Sequence, residues 1–310
     1  MTSRKLLHYW LHFRNVETPL GCDVIKLQGE FEASFSGNFR LMSEILTYPD
    51  GNVENAKQDC EQKAFHRLAD RLKGEFSHLS IMVLLDGLYP NGPIVELLRK
   101  KHWDFMIVLQ DKSLPSVHEE VKGLKKILTD NHSFCRWNKR DQHFWWVNDI
   151  EYFYGDNNRL RQKMHVVVCE ETWQEVDSSS GQIVTKTTRH EWISGKPLNE
   201  RNVHERCNLG ARHRWSGIEA SFNVEKRHGY QYEHMFSQDW TAMKGYHYLM
   251  RLGHMFNSLA QYASALADIV RTQGVQGFIR LVAETIGGPW LNPRIVLERL
   301  ASPFPLKFSR

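Results

Sequence analysis

Apolar residues recur along this chain with two different periods, and the change between them marks its elements. Between residues 55 and 76, Ala64, Phe65, Leu68 and Leu72 return at spacings of three and four, the period of a helix with one buried face. Ile81, Met82, Val83, Leu84 and Leu85 form an unbroken apolar run instead, which reads as a buried strand. Pro93 then opens a second helix over 94–101, because Pro suits the first helical position. Residues 105–109 are a second apolar strand, so strand, helix and strand here make a parallel crossover unit.

The pattern changes after residue 111. Stretches 143–147, 163–168 and 183–188 have strand composition, and Asp177-Ser178-Ser179-Ser180-Gly181 between the last two reads as a hairpin tip. Helix returns near residue 200, with Asn199 as its N-cap, and runs past Glu219 to about 226. A long helix is predicted over 243–272, with Leu249, Leu252, Phe256, Leu259 and Ala263 on one face. Gly287-Gly288-Pro289 separates it from a last short helix over 293–300. Residues 1–38 mix aromatics, His and Gly with no sustained period, although 24–27 and 30–35 read as short strands. Pro49-Asp50-Gly51-Asn52 is a turn. The expected segments are therefore 1–38, 39–110, a β-rich 111–199, a helical 200–275 and a tail over 276–310.

Composition narrows the classes only a little. A chain of 310 residues is long enough for a sizeable core in one or two domains. Its net charge of +4 is too mild to indicate nucleic acid by itself. The five cysteines (Cys22, Cys60, Cys135, Cys169 and Cys207) are odd in number and include no C-x-x-C pair, so neither a disulfide framework nor a zinc site is indicated. A reducing cytosol fits that usage. No signal-peptide pattern follows Met1, and no run approaches the ~20 apolar residues that span a bilayer.

Two carboxylates stand out by their settings. Asp86 ends the buried run 81–85 and is followed at once by Gly87, which lets the backbone turn. An acid at the C-terminal end of a strand faces the crevice where open α/β sheets bind ligands. An Asp-Gly in that place also serves as a simple turn cap. Glu219 lies on the predicted helix with Arg212 and Lys226 seven residues to either side, on nearly one face. Such a face holds phosphates, or is a solvated run of ion pairs. Brought together, two carboxylates in these settings hold divalent metal for phosphoryl transfer.

Both regions resemble one family. Gln58-Asp59-Cys60-Glu61-Gln62-Lys63-Ala64 followed by Asp86-Gly87-Leu88-Tyr89-Pro90-Asn91-Gly92-Pro93 is similar to the second-aspartate region of bacterial insertion-sequence transposases of the DDE class. Arg212, Arg214, Trp215, Ile218, Glu219, Phe222, Lys226, Gly229, Tyr230, Glu233 and His234 resemble that family's third-carboxylate region, and Gly288-Pro289-Trp290-Leu291 its tail. The resemblance runs from about residue 40 to the C-terminus. It implies an α/β fold, an RNase H-like mixed sheet with flanking helices and a β-rich insertion between the two carboxylates, which are 133 residues apart (219 − 86). It also implies Mg²⁺, with Mn²⁺ as a substitute, held by Asp86 and Glu219. The implied partners are DNA, as the terminal inverted repeats and the target, and a second copy of the chain in a synaptic complex. The implied place is the bacterial cytoplasm, with the nucleoid and away from the membrane. Lys226, Arg212 and Arg214 would contact DNA phosphates, and Trp192 would stack on an unpaired base.

Two departures from the family pattern shape the expectations. The family places Arg four residues before the Glu, where this chain has Trp215; Arg214 lies five before. Either Arg212 substitutes, or a bulge in the helix restores the register. The family's first aspartate has no obvious counterpart in residues 1–38. Asp23, which lies 63 residues before Asp86 (86 − 23), is the upstream candidate, and the alternative is a shortened or altered copy that binds DNA without cutting it. A metal-dependent nuclease of the same fold is a third reading.

Overall fold

The computed structural model describes residues 9–12, 25–31, 35–42, 44, 53–214, 220–227, 230, 237, 239–260, 264–287, 294, 297, 298 and 301. The chain divides into two compact units, Met1–Val224 and Glu225–Arg310. This division is coarser than the segments expected from sequence and falls within the helix that carries Lys226.

The first unit is a mixed α/β structure built on one sheet. Its strands are β1 (Tyr9–His12), β2 (Ile25–Phe31), β3 (Phe35–Met42), β4 (Ile81–Leu85), β5 (Asp104–Val108), β6 (His132–Trp137), β7 (Arg140–Tyr154), β8 (Leu160–Val176) and β9 (Ile183–Ser194). They lie in the order β3-β2-β1-β4-β5-β9-β8-β7-β6. β1, β4 and β5 are mutually parallel, joined through Leu11↔Val83 and Val83↔Phe105. β2 and β3 continue the sheet antiparallel on one side. On the other side β9 pairs antiparallel with β5, and β9 to β6 form a meander. β1 is a departure from the sequence reading, which found no strand before residue 24. Its four residues are too few to display an alternation.

The helices α1 (Val53–Glu75), α2 (Gly92–Lys100) and α3 (Pro115–Lys125) pack on one face of the sheet. One sheet face buries Ile81, Val83, Leu85, Ile107 and Ile193 against Phe65 and Leu72 of α1, Ile94 and Leu98 of α2, and Val117 and Val121 of α3. The opposite face buries Met82, Leu84, Met106, Trp146, Val167 and Trp192 beneath Val203, Cys207 and Ala211. Coverage on both faces is why β4 reads as a continuous apolar run rather than an alternation.

The helix expected over 200–226 is not one helix. Glu205–Ala211 form a π-helix, Arg212 ends it, and α4 spans Ala220–Arg227, with residues 215–219 outside the described ones. The widened turn sends Arg206 down onto the sheet. Its guanidinium donates to both oxygens of Asp104, at 2.7 and 2.8 Å, and to the Ser194 hydroxyl at 2.9 Å. A bidentate Arg–carboxylate pair fixes orientation as well as position, so this clamp ties the π-helix to the start of β5 and the end of β9.

The second unit contains α5 (Trp240–Ala260) and α6 (Ser264–Gly287) rather than a single helix over 243–272. Met243, His247 and Met250 are the buried stripe of α5. Leu249, Leu252 and Phe256, expected from their spacing to share one face, are exposed. Glu225 is fully buried and paired with His254 at 2.7 Å, beside the Tyr230 ring. Among the described residues no helix is long and apolar enough to cross a membrane.

Candidate active site

The cleft begins where β4 ends. Asp86 follows Leu85 directly, and its Oδ1 accepts the Leu88 backbone N–H at 2.9 Å, which folds the chain back in an Asx turn. Gly87 is needed for close approach, since a Cβ there would meet the Gln110 side chain at 2.3 Å. The turn is anchored by Tyr89, 1% exposed, whose ring packs 5.4 Å from Phe65. Asn91 closes it: its Oδ1 caps α2 by accepting the Ile94 N–H at 3.0 Å, with Pro93 in the first turn. The loop 86–91 is thus held at both ends, and Asp86 remains half-buried at a sheet edge.

A cavity of about 970 Å³ opens at that edge. Its polar lining includes Asp86, Asn91, Gln110, Asp111, Glu191 and Arg214, and Trp192 is part of its wall. Three of the residues singled out from sequence, Asp86, Trp192 and Arg214, are therefore brought together, though they lie up to 128 positions apart (214 − 86). Trp192 is 5% exposed, and the His190 ring stacks on it at 5.5 Å and 15°. Trp192 forms part of the cavity wall, with His190 stacked on its ring.

Arg212 is placed elsewhere. It pairs with Glu171, a carboxylate of β8 with no exposure, and its guanidinium lies 5.3 Å from the Trp137 ring centre. Glu171 also accepts from Arg140 at 2.9 Å and from Gln142. Burial works to raise the Glu171 carboxyl, but hydrogen bonds from Gln142 and Arg140 and the Arg212 charge outweigh it and hold the group below its usual range. Behind it Asn208 of the π-helix exchanges hydrogen bonds with Gln142 at 2.7 and 3.0 Å. Arg212 thus braces the chain two residues before Arg214 enters the cleft. Lys226 lies half-buried on α4 in the second unit. Asp23 and Glu219 lie outside the described residues.

Sequence reasoning missed two features here. The Glu171 network joins four segments 140, 171, 188 and 212, and only strand parity hinted that this acid faces inward. Glu191 is the other: its side chain is 5% exposed, Oε1 pairs with Arg189, and Oε2 is buried without a hydrogen-bond partner. The Arg-His-Glu-Trp order of β9 sends Glu191 to the face opposite Trp192. Burial is the main cause that lowers the His190 pKa, and the Arg212 charge adds to it against the pull of Glu171.

No protein-family model matches the chain, and no curated protein matches it.

Proposed function

We propose that this chain is a transposase core of the DDE class on an RNase H-like sheet, which cleaves and joins DNA strands at the ends of a mobile element. One observation carries the reading. Asp86 ends the central parallel strand of a β3-β2-β1-β4-β5 array and shares its cleft with Arg214, five residues before Glu219. The resemblance of the two motif blocks supplies the chemistry for that placement.

The donors suit a hard cation. Asp86 offers carboxylate oxygen in a polar cleft that also holds the Asn91 and Gln110 amides, the oxygen-rich setting that Mg²⁺ and Mn²⁺ prefer. Asp86 and Glu219 would hold the metal, which supplies activation of a water or 3′-hydroxyl and stabilisation of the leaving oxygen. The Asx turn fixes the Asp86 carboxylate before substrate arrives, so little reorganisation is needed. Arg214, brought into the cleft by the Asp104–Arg206 clamp and the Glu171 brace, is set to hold a DNA phosphate. Trp192 and His190 exclude water from the floor.

A second reading is favoured by β1. The strand beside β4 is Tyr9-Trp10-Leu11-His12, with no acid to stand next to Asp86. Asp23 precedes β2, and Lys26 of β2 pairs with His12, whose other neighbour is Leu84 near the end of β4. If Asp23 does not supply the first carboxylate, the chain binds element ends without cutting them. The test is a labelled duplex carrying the flanking inverted repeat, incubated with the full chain and Mg²⁺ or Mn²⁺. Nicking at the repeat boundary that disappears in Asp86→Ala and Glu219→Ala supports the enzyme. Retarded but uncut DNA supports the binding remnant, and nicking unchanged in both variants refutes the site.

A further inference from the structure

Glu191, which lines the cleft, faces His118 of α3. His118, on α3, has its Nε2 3.0 Å from the Gln110 carbonyl oxygen. A carbonyl only accepts, so Nε2 carries the proton and donates it there. Nδ1 of the same ring lies 3.5 Å from Glu191 Oε2, with 13% and 5% of the two side chains exposed. Glu191 Oε2 has no hydrogen-bond partner, while its Oε1 is paired with Arg189. A neutral imidazole would therefore point a bare lone pair at a bare carboxylate oxygen, an arrangement that is unfavourable unless something positive lies between them.

We propose that this pair is a seat for a first-row transition-metal ion of the Zn²⁺ class. Donors that lie ~2.1 Å from an ion at the tetrahedral angle are about 3.4 Å apart, close to the separation found here. The His118 contact with Gln110 is the outer hydrogen bond that ligating imidazoles make, fixing tautomer and ring plane. Two protein ligands are present. No group of three or more His, Cys, Asp or Glu side chains gathers for a metal among the described residues. Water from the cavity that Glu191 lines completes the coordination. Asp86 and Glu191 line the same cavity, but the seat is built from His118 and Glu191 and does not rest on the transposase reading. Its consequence is mechanical. The ion would join α3 to β9, and the residues Gln110, Asp111, Ser113 and Leu114 between β5 and α3 are one wall of the cleft.

The test is calorimetric titration of the full chain with Zn²⁺ in an Asp86→Asn background, with Glu191→Gln and His118→Gln beside it. Each substitution keeps a side chain of similar length and removes one ligand. The expected result is one site whose affinity falls at least ~100-fold in either variant. No binding by the parent, or an affinity in either variant equal to the parent's, overturns the proposal. The His118 ring ¹⁵N signals, assigned by their loss in His118→Gln, give a second measurement on the native side chains. A shift of Nδ1 on adding Zn²⁺ supports the ion, whereas an imidazolium pattern unmoved by Zn²⁺ shows that a proton fills the gap and overturns it.

Discussion

Replacing Glu171 by Ala removes the carboxylate on which Arg140, Gln142 and Arg212 converge, and the structure sets the cost. Arg140 keeps 36% of its side chain exposed and can turn to water, so losing its pair costs at most ~1 kcal/mol. Arg212 is 16% exposed and its Nε is already buried without a partner, so it has no such escape. An uncompensated buried cation of that kind costs about 3 kcal/mol or more. Gln142 loses one acceptor but keeps Asn208 at 3.0 Å and adds little. The expected loss is thus about 3–5 kcal/mol, read from hydrogen exchange of the β7 and β8 amides and from the urea midpoint. Adding Arg212→Met to Glu171→Leu should regain most of it, because neither charge is then buried alone. A loss below about 1 kcal/mol in Glu171→Ala would refute the reasoning and mean that Arg212 reaches solvent.

Four further outcomes follow from the geometry. His165 is 5% exposed and its Nδ1 accepts the Asp149 N–H at 3.2 Å, so burial lowers its pKa; the unfolded chain then takes the proton first, and stability, full above about pH 6.5, falls as pH drops below it, a slope that His165→Gln should flatten in pH-dependent melting. At Asp104, burial is overcome by Arg206, Lys196 and the Phe105 N–H, which hold the carboxyl low; its contribution is full above about pH 4 and is lost as pH falls through the lowered folded value, and Asp104→Asn should shift the acid-unfolding midpoint upward. Asn91→Ala removes the α2 cap and should cost about 1 kcal/mol in chemical denaturation. Arg214→Ala should weaken DNA binding evenly across sequences and lower the salt slope by about 1, while Arg212→Ala should leave that slope unchanged and reduce stability.

What the sequence displayed depended on how local each cause was. β4, α1 and α2 were legible because five adjacent apolar residues, a run of spacings of three and four, and Pro93 each act within one element. Only the apolar middle of β7 and β8 was legible. Their ends, such as Arg140 and Gln142 on one strand and Glu171 on the other, are strand because partners across the ladder make them so. The π-helix after residue 204 was hidden because the contact made from it is not local in sequence. The contact that the widened turn serves is remote: Arg206 meets Asp104, about a hundred positions away. Leu249, Leu252 and Phe256 show a further limit: helical spacing groups residues on a face but does not say whether that face is covered. Within the site, Asp86 was marked by the strand before it, whereas Glu191 was invisible because its meaning comes from His118 on another element.

The meander shares hydrogen bonds with the strand beside Asp86, and that makes it a measuring arm. β9 begins at the hairpin tip with Ile183 and reaches the cleft at Trp192, nine residues later (192 − 183), about 30 Å at ~3.3 Å each. A ladder along β8 stiffens the whole length. A ligand that touched both the tip and Trp192 would be held across that span. Adding or removing a pair of residues in each strand of the hairpin would change that span while leaving every residue of the cleft in place.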